Sequence, residues 1–252
     1  MTTEQRRGPS QAQHERILDA LGEAIVAGRL AAGERLLAAE IAERYRASRS
    51  TVREAVRVLE SMGMAQSRRN VGVEILPAER WNSFSPRLIE WRLAAADRLS
   101  FLHSLSELRS AIEPLAARLA AQQASAQQCA ALVMAAKGMR EAASDADGPT
   151  YLDHDMRFHE TLLESSHNPL LLGLKGVVAE VLRGRTRHAL MPHDADPSAV
   201  RLHQAVAARV SEGDAAGAED AMRAIIAEAD TATARLGTTQ RRESITSRKD
   251  PS

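Results

Sequence analysis

Segment 48–59 combines cationic, hydroxyl and apolar side chains at a spacing that suits contact with DNA. Its apolar residues recur at helical spacing and form one face: Val52, Ala55, Val56 and Leu59. Arginines and short hydroxyl side chains occupy the first turn and the opposite face: Ser48, Arg49, Ser50, Thr51, Arg53 and Arg57. Because a helix enters the major groove with its N-terminal end, such groups at that end can reach base edges. The segment therefore predicts a DNA recognition helix that is capped by Ser48.

The predicted DNA contacts extend from this helix to a basic hairpin that follows it. Arg49 can donate two hydrogen bonds to a guanine edge, while Ser50 and Thr51 are short enough to contact phosphates or bases. The hairpin turn at 68–72 is suited to the phosphates or the minor groove. The full predicted contact set is Arg35, Ser48, Arg49, Ser50, Thr51, Arg53, Arg68, Arg69 and Gly72. Glu54 is expected to pair with a neighbouring arginine instead.

The elements around the recognition helix predict a winged helix-turn-helix domain over residues 12–77. The sequence predicts helices at 13–27, 38–45 and 49–61, followed by extended pieces at 64–67 and 72–76. Three helices and a basic hairpin in this order are typical of that DNA-binding module. Residues 1–11 are polar and contain Gly8 and Pro9, which predicts a flexible arm before the domain.

The composition allows local but not general attraction to nucleic acid. The formal net charge of the 252 residues is zero, which excludes a polycation. From Arg44 to Arg69, however, seven arginines outnumber two acidic residues, which gives a local net charge of +5. The single Cys129 excludes an intrachain disulfide, and the sequence shows neither a membrane-spanning apolar run nor a signal-peptide pattern. These features favour a cytoplasmic protein.

The second half of the chain predicts a helical bundle. Apolar content is 44% and aromatic content only 3%, which favours packed helices over sheets. Amphipathic segments with short breaks predict helices at 86–96, 99–122, 125–144, 150–165, 168–190, 197–212 and 214–236. We expect a linker and junction helix at 78–98, an antiparallel helical domain at 99–236 and a disordered tail at 237–252. The predicted fold class is therefore mainly α.

Asp155 and His159 are spaced i, i+4, so both side chains leave one face of a predicted helix. His203, from a different predicted helix, can close the same site. One carboxylate and two imidazoles can hold a divalent metal such as zinc, with open positions for a ligand or water. The alternative is a metal-free site whose polar groups hydrogen-bond a ligand directly.

Short motifs along both halves of the chain match one known family. They are Gly28–Leu30, Gly33–Leu36, Ile41–Arg44, Ser48–Ala55 and Leu59–Gly63, then Glu107–Arg109, Asp155–His159, His167–Leu170 and Leu202–Val206. On these residues the chain resembles the GntR superfamily of transcription regulators, in its FadR/FCD branch. The segment from Trp81 to Leu93 is similar to sugar-acid-responsive members. The resemblance covers residues 12–236.

The resemblance implies a homodimer that binds a palindromic operator, and a small carboxylate effector held inside the helical domain. Repression relieved by that effector is the expected form of regulation. The family counterpart of Arg109 lies in the effector cavity, where a guanidinium can pair with a carboxylate. The alternative is a surface Arg109 that pairs with Glu107 or Glu113. The expected effector contacts are Arg109, Asp155, His159 and His203.

The resemblance also implies a metal site of one Asp and three His. The third His is expected 22 residues after His203, and that position is Ile225. The expected metal ligands are therefore Asp155, His159 and His203.

Two other classes of function compete with a regulator. A metal-dependent enzyme using Asp155, His159 and His203 would explain the polar cluster but not the winged module. The sequence contains no nucleophile elbow and no phosphate loop that would support it. A helical interaction protein could bind something other than DNA with its basic face. We therefore expect a DNA-binding regulator and not an enzyme.

Overall fold

The computed structural model describes residues 9–68, 71–187 and 197–247, which fall into two compact units, one up to Asp97 and one from Arg98. Each unit has its own cluster of buried apolar side chains. The predicted fold class, mainly α with an N-terminal winged helix-turn-helix and a following helical bundle, is confirmed.

The first unit contains the recognition helix and a small sheet. Its elements are α1 (Pro9–Val26), β1 (Arg35–Leu36), α2 (Ala38–Arg44), α3 (Arg49–Ser61), β2 (Ala65–Arg68), β3 (Gly72–Ile75), a 3-10 turn (Ala78–Arg80) and α4 (Pro86–Ala94). The helix bounds predicted for α2 and α3 hold to within one residue. Because α1 begins at Pro9, residues 9–11 are helical where the sequence predicts the end of a flexible arm. Residues 1–8 lie outside the described part of the chain.

The three strands form one antiparallel sheet in the order β1-β3-β2. In β1, Arg35 pairs with Glu74 and Leu36 pairs with Val73. A strand of two residues has no periodicity of its own, so the sequence pattern does not predict β1. It exists because β3 offers a second edge for backbone hydrogen bonds.

Helix α3 is held by its apolar face. Val52, Ala55 and Leu59 are no more than 1% exposed, as their spacing predicts. Burial of a valine or leucine side chain contributes roughly 1.5–3 kcal/mol. The helix ends before Gly63, whose φ of 71° lets the Met64 N–H donate to the Leu59 carbonyl over 2.9 Å. The opposite face of α3 is left free for solvent or a partner.

Helix α4 packs on α1 of the same unit. The Trp91 ring lies directly over Gly22, where a Cβ atom would approach the ring to 2.3 Å. The Trp91 Nε1–H donates to Asp19 Oδ1 over 3.0 Å, and Arg87 Nε donates to the same oxygen over 3.1 Å. Because Gly22 has no side chain, the Trp91 ring can pack against α1, and this contact positions α4.

The second unit is a bundle of helices. Its elements are α5 (Arg98–Gln123), α6 (Ala126–Ser144), α7 (Gly148–Ser165), α8 (Pro169–Gly173), α9 (Lys175–Arg187), α10 (Pro197–Glu212) and α11 (Ala215–Ser247). The helix predicted at 168–190 is divided at Leu174 into α8 and α9. The backbone of α11 continues to Ser247, so the tail predicted to be disordered from Gly237 is helical over its described part.

At the N-termini of three bundle helices, residue type and position in the sequence predict caps at Ser125, Thr150 and Asn168. Ser125 forms a capping box with Gln128, and the Asn168 side chain accepts from two N–H groups of α8. The prediction for Thr150 is wrong, because Asp147 is the cap and accepts from the Thr150 N–H over 3.1 Å. No helix in the described part of the chain combines the length and the apolar character that a membrane span requires.

Candidate functional site

The N-terminal end of α3 presents an exposed polar surface. Ser48 caps the helix by accepting from the Thr51 N–H over 3.1 Å, and its hydroxyl also lies 2.7 Å from that of Ser50. Thr51 is only 9% exposed and its hydroxyl lies 2.8 Å from Ser48 Oγ, so its contacts serve the cap. Arg49, Ser50 and Arg53 are exposed on this surface.

The arginines of α3 differ in whether they are already paired. Arg57 Nη1 lies 2.7 Å from Glu54 Oε1, so the predicted local pairing of Glu54 is confirmed. Among the described residues, neither Arg49 nor Arg53 has an ion-pair partner within 4 Å. Exposed cations without partners are available to phosphates and base edges at little desolvation cost.

The hairpin contributes fewer available groups than the sequence predicts. Arg68 Nε is paired with Glu74 Oε2 at 2.8 Å, and Arg69 lies outside the described residues. Gly72 has a φ of 103°, and a Cβ there would meet the Leu36 carbonyl oxygen at 2.5 Å. Its glycine is therefore explained by the close approach of β1. Arg35 is exposed on β1.

A second site lies inside the bundle, where α7 and α10 bring one carboxylate and two imidazoles together. His159 Nε2 lies 3.4 Å from Asp155 Oδ1, and His203 Nε2 lies 3.2 Å from the same oxygen. The two Nε2 atoms are 3.5 Å apart. The side chains are buried, with residue exposures of 5% or less. The structure therefore assembles all three predicted ligands at one point.

Both imidazoles are oriented by contacts at their other nitrogen. His203 Nδ1 donates to the Ala199 carbonyl over 2.7 Å, which leaves Nε2 as the nitrogen facing Asp155. His159 Nδ1 lies 2.6 Å from Glu113 Oε2, which is ion-pair distance. The two groups are not aligned for a hydrogen bond. Outer partners of this kind fix the orientation of metal-binding histidines in proteins.

Arg109 and Glu113 form a buried ion pair on α5 beside this cluster. Arg109 Nε donates to Glu113 Oε1 over 2.5 Å, and the two residues are 1% and 0% exposed. Arg109 is therefore buried, and the alternative of a surface arginine is wrong. Its carboxylate partner is Glu113 of the same chain and not a ligand. Its Nη1 is buried and has no hydrogen-bond partner. We name Arg109, Glu113, Asp155, His159 and His203 the buried cluster.

The charges of the buried cluster shift one another's protonation. Burial opposes ionisation of Glu113, but Arg109 and His159 lower its pKa to about 2. Burial also opposes the charged form of His159, while Glu113 and Asp155 raise its pKa to about 9. The pKa of Asp155 is held below its usual range despite burial, because both imidazoles face it. Both carboxylates are therefore ionised at neutral pH.

The donor set fits a divalent cation. The candidate ligand atoms of Asp155, His159 and His203 all lie within 4.8 Å of one another. Asp155 Oδ1 is buried and accepts no well-directed hydrogen bond, so a cation between the three atoms would satisfy it. Two nitrogens and one oxygen suit zinc and similar metals and leave coordination positions open. Ile225 is 4% exposed in the apolar core and supplies no fourth ligand.

Two charged side chains buried in the bundle, Glu113 and Arg185, are not predicted from the sequence as site residues. Glu113 appeared only as a surface partner of Arg109, although their i, i+4 spacing places them on one face of α5. Arg185 of α9 was not identified, although it is 4% exposed. It lies within the arginine-rich segment 183–187, and its spacing of i+4 from Val181 would place it on the buried face.

Comparison with known proteins connects both sites to one kind of protein. The family model described as bacterial regulatory proteins, gntR family, matches residues 13–75, and that of the FCD domain matches residues 104–228. The galactonate operon transcriptional repressor of Escherichia coli (strain K12) is 31% identical over 206 residues, which cover 80% of this chain and 89% of that protein. The chain is also similar to the HTH-type transcriptional regulator LutR of Bacillus subtilis (strain 168), with 29% identity over 203 residues, or 77% and 89% of the two chains.

A solved structure shares the fold. It is that of Lar, which is described as controlling the expression of the Listeria monocytogenes agr system. The TM-score is 0.55 at 20% identity, and the match covers 88% of this chain and 97% of the other. The two relatives compared above are named as transcription regulators and not as enzymes.

Proposed function

Because this chain belongs to the GntR family of bacterial transcription regulators and carries an FCD domain, we propose that it is a homodimeric repressor with a bound metal, released from its operator by a small carboxylate. DNA-binding regulation of transcription is common to the family. Repression, the metal and the effector class are what we infer for this chain. A bacterial operator lies in the cytoplasm, so we expect the protein to act there.

The DNA contacts are expected at the exposed start of α3. Arg49 and Arg53 are exposed and lack carboxylate partners among the described residues, so both can engage DNA without breaking an internal ion pair. A twofold dimer would present two such helices to the half-sites of a palindrome. Ser50 adds a short hydroxyl at the same end. Contributions from Arg35 and Arg68 are expected to be directed to phosphates.

The metal is expected at Asp155, His159 and His203. The observation that carries this part of the proposal is the convergence of two buried imidazole nitrogens on Asp155 Oδ1, which has no well-directed hydrogen-bond donor. A bound divalent cation would act as a Lewis acid that attracts an anionic ligand into the bundle. The chain's own residues orient the two imidazoles through Glu113 and the Ala199 carbonyl.

The charge balance of the bundle favours an anionic effector. When both imidazoles are neutral, as metal binding requires, its buried charged residues are Arg109, Glu113, Asp155 and Arg185, whose formal charges cancel. A divalent cation bound by neutral imidazoles would leave an excess of two positive charges in a low-dielectric interior. A carboxylate near the free Arg109 Nη1 would compensate part of that excess. A similar regulator is named for the operon of galactonate, a sugar acid, and sugar acids belong to this effector class.

Release from DNA requires the effector to prefer one conformation of the dimer. A ligand shifts such an equilibrium only by its difference in affinity for the two states. Groups from α5, α7 and α10 meet in the buried cluster, so a ligand bound there would fix the relative positions of three helices. Effector binding and operator binding are therefore expected to oppose each other reciprocally.

Operator binding is tested with Arg49→Ala, measured by gel shift on the DNA upstream of the protein's own gene. We expect specific affinity to fall about 5- to 150-fold, because a bidentate arginine–guanine contact contributes about 1–3 kcal/mol. Arg29→Ala, at an exposed arginine outside the recognition helix, serves as the matched control. Equal binding by the two variants would exclude the assigned contact.

Metal binding is tested by elemental analysis of purified wild type and His159→Ala. We expect about one divalent metal per chain in the wild type and almost none in the variant, since one of three ligands is lost. His103→Ala, whose imidazole is 74% exposed, is the control and should retain the metal. A metal-free wild type after growth in metal-supplemented medium would favour the direct hydrogen-bonding alternative.

A further inference from the structure

Strand β2 is an edge strand, and one of its outward N–H groups is bound by the recognition helix. Hydrogen-bonded and non-bonded positions alternate in an antiparallel pair, and here the Met64 carbonyl accepts from the Leu76 N–H. Ser67 lies three residues after Met64, opposite Val73, and therefore belongs to the other set. Its N–H points away from β3, where the sheet has no further strand. The half-buried Glu60 of α3 accepts from this N–H over 2.5 Å.

This hydrogen bond ties the β2–β3 hairpin to α3 across a groove. The groove has a volume of about 260 Å³, and its walls include Arg53 and Glu60 on α3 and Ser67 and Val73 on the hairpin. In the part of the chain that the structure describes, no other hydrogen bond or ion pair joins α3 to β2 or β3. Glu60 therefore sets the distance between the edge of the hairpin and the recognition helix.

The two elements that Glu60 connects both carry expected DNA contacts. Arg68 follows Ser67 directly, and its side chain is 53% exposed and paired with Glu74. That ion pair lies within the hairpin and does not fix the hairpin relative to α3. Arg49 and Arg68 can contact one duplex together only if helix and hairpin stand at a suitable separation. A separation that is fixed before binding avoids the cost of ordering the hairpin on the DNA.

We propose that Glu60 is a positioning residue for operator binding, whose carboxylate holds the hairpin where it and α3 contact the same duplex. Glu60 acts through the Ser67 N–H and not by touching DNA, since an anion is repelled by phosphates. The inference rests on the proposed function, because it requires the expected phosphate contact of Arg68. It explains why an acidic residue lies on a helix whose exposed face is otherwise suited to binding a polyanion.

The test measures binding to the DNA upstream of the protein's own gene by fluorescence anisotropy at several salt concentrations. Glu60→Ala should weaken specific binding about tenfold, because the hairpin must then be ordered during association. The slope of log K against log salt should become less steep by about one unit, as expected when one phosphate contact is lost. Glu79→Ala, at an exposed acidic residue of the 3-10 turn, is the matched control and should change neither value.

Two conservative variants separate the hydrogen bond from the charge of Glu60. Glu60→Gln removes the charge but keeps an oxygen that can accept from the Ser67 N–H, so it should bind DNA at least as tightly as the wild type. Glu60→Asp keeps the charge but is shorter by one methylene, so it should lose affinity as Glu60→Ala does. It also keeps the test decisive if Glu60→Ala fails to fold. Weak binding by Glu60→Gln together with wild-type binding by Glu60→Asp would overturn the proposal.

A double-mutant cycle with Arg68→Ala shows whether Glu60 acts through the hairpin. The loss caused by Glu60→Ala should shrink when Arg68 is already absent, because both changes remove the same phosphate contact. Fully additive losses would overturn the positioning role.

Hydrogen exchange of segment 64–68 in the DNA-free protein measures the hairpin without the operator. Exchange should be faster in Glu60→Ala than in the wild type or Glu60→Gln, with the same far-UV circular dichroism in all three. Unchanged exchange in Glu60→Ala would overturn the proposed link.

The outcomes also separate this proposal from the proposed function. If Arg49→Ala loses affinity while Glu60→Ala binds like Glu79→Ala, the positioning role is overturned and the recognition helix stands. If the wild type binds no operator DNA, both are overturned.

Discussion

Glu113→Gln tests how much the buried cluster depends on one carboxylate. Glu113 faces Arg109 Nε at 2.5 Å and His159 Nδ1 at 2.6 Å, and it is fully buried. Glutamine keeps the shape but removes the negative charge, which leaves the buried Arg109 guanidinium without its counter-ion. Removing one partner of a buried pair typically costs about 3–5 kcal/mol.

The pKa of Glu113 gives a similar magnitude. Its lowering from an ordinary value of 4.5 to about 2 corresponds to roughly 3 kcal/mol of stabilisation of the charged form. For a unit of this size, a loss of roughly 3 kcal/mol lowers the melting temperature by about 6–12 °C. The two values share the same interactions and are not to be added.

Urea unfolding at pH 7 in the presence of a chelator measures this loss without a contribution from bound metal. Glu107→Gln is the matched control, since Glu107 lies on the same helix with its side chain 68% exposed. The control should change the free energy of unfolding by less than about 0.5 kcal/mol. If Glu113→Gln destabilises the protein no more than Glu107→Gln does, the buried ion pair is not the contact that the structure indicates.

Three further predictions concern local structure. Ala146 follows α6 with a φ of 54° at an exposed position, so Ala146→Gly should raise the free energy of unfolding by about 1 kcal/mol in urea titrations. Gly22→Ala should lower the melting temperature and expose the Trp91 fluorophore to water, because the new methyl group would occupy the ring's position. The pKa of Asp147 is lowered by hydrogen bonds from Thr150, so its cap stabilises α7 above the unfolded pKa and is lost as pH falls through the folded value. Asp147→Ala should therefore destabilise the protein at pH 7, and its difference from the wild type should shrink in acid unfolding curves.

Elements defined by local periodicity were predictable from the sequence. The bounds of α3 and α10 agree with the prediction, because one buried face and clear end signals determine each helix. β1 was not predicted, since two residues become a strand only through pairing with β3. The break at Leu174 directly follows Gly173, but a single glycine inside a helical pattern is often tolerated and did not by itself predict an interruption. At α7, two residues able to cap lie three positions apart, and the sequence alone did not show that Asp147 prevails over Thr150.

The candidate metal ligands also differ in whether local spacing predicts them. Asp155 and His159 follow from i, i+4 spacing on one helix, whereas His203 could be joined to them only as a candidate from another helix. Glu113 and Arg185 are buried because other helices pack over them, and neither composition nor spacing predicts that packing. The resemblance predicted an Arg109 inside the bundle, and the structure buries it, but the sequence did not establish that Glu113 already neutralises it.

The two units differ in the number of charged side chains that they bury, and the needs of stability do not explain this difference. The charged and imidazole side chains buried in the described part of the chain all belong to the bundle: Arg109, Glu113, Asp155, His159, Arg185 and His203. Apolar residues of similar size would fill such positions at equal or lower cost, since buried ion pairs rarely stabilise a fold more than good packing does. Burial without full hydrogen bonding, as at Arg109 Nη1, Arg185 Nε and Asp155 Oδ1, carries a further cost. Unpaired hydrogen-bond donors and acceptors buried inside one bundle are expected where a cation and an anionic ligand bind and complete the structure.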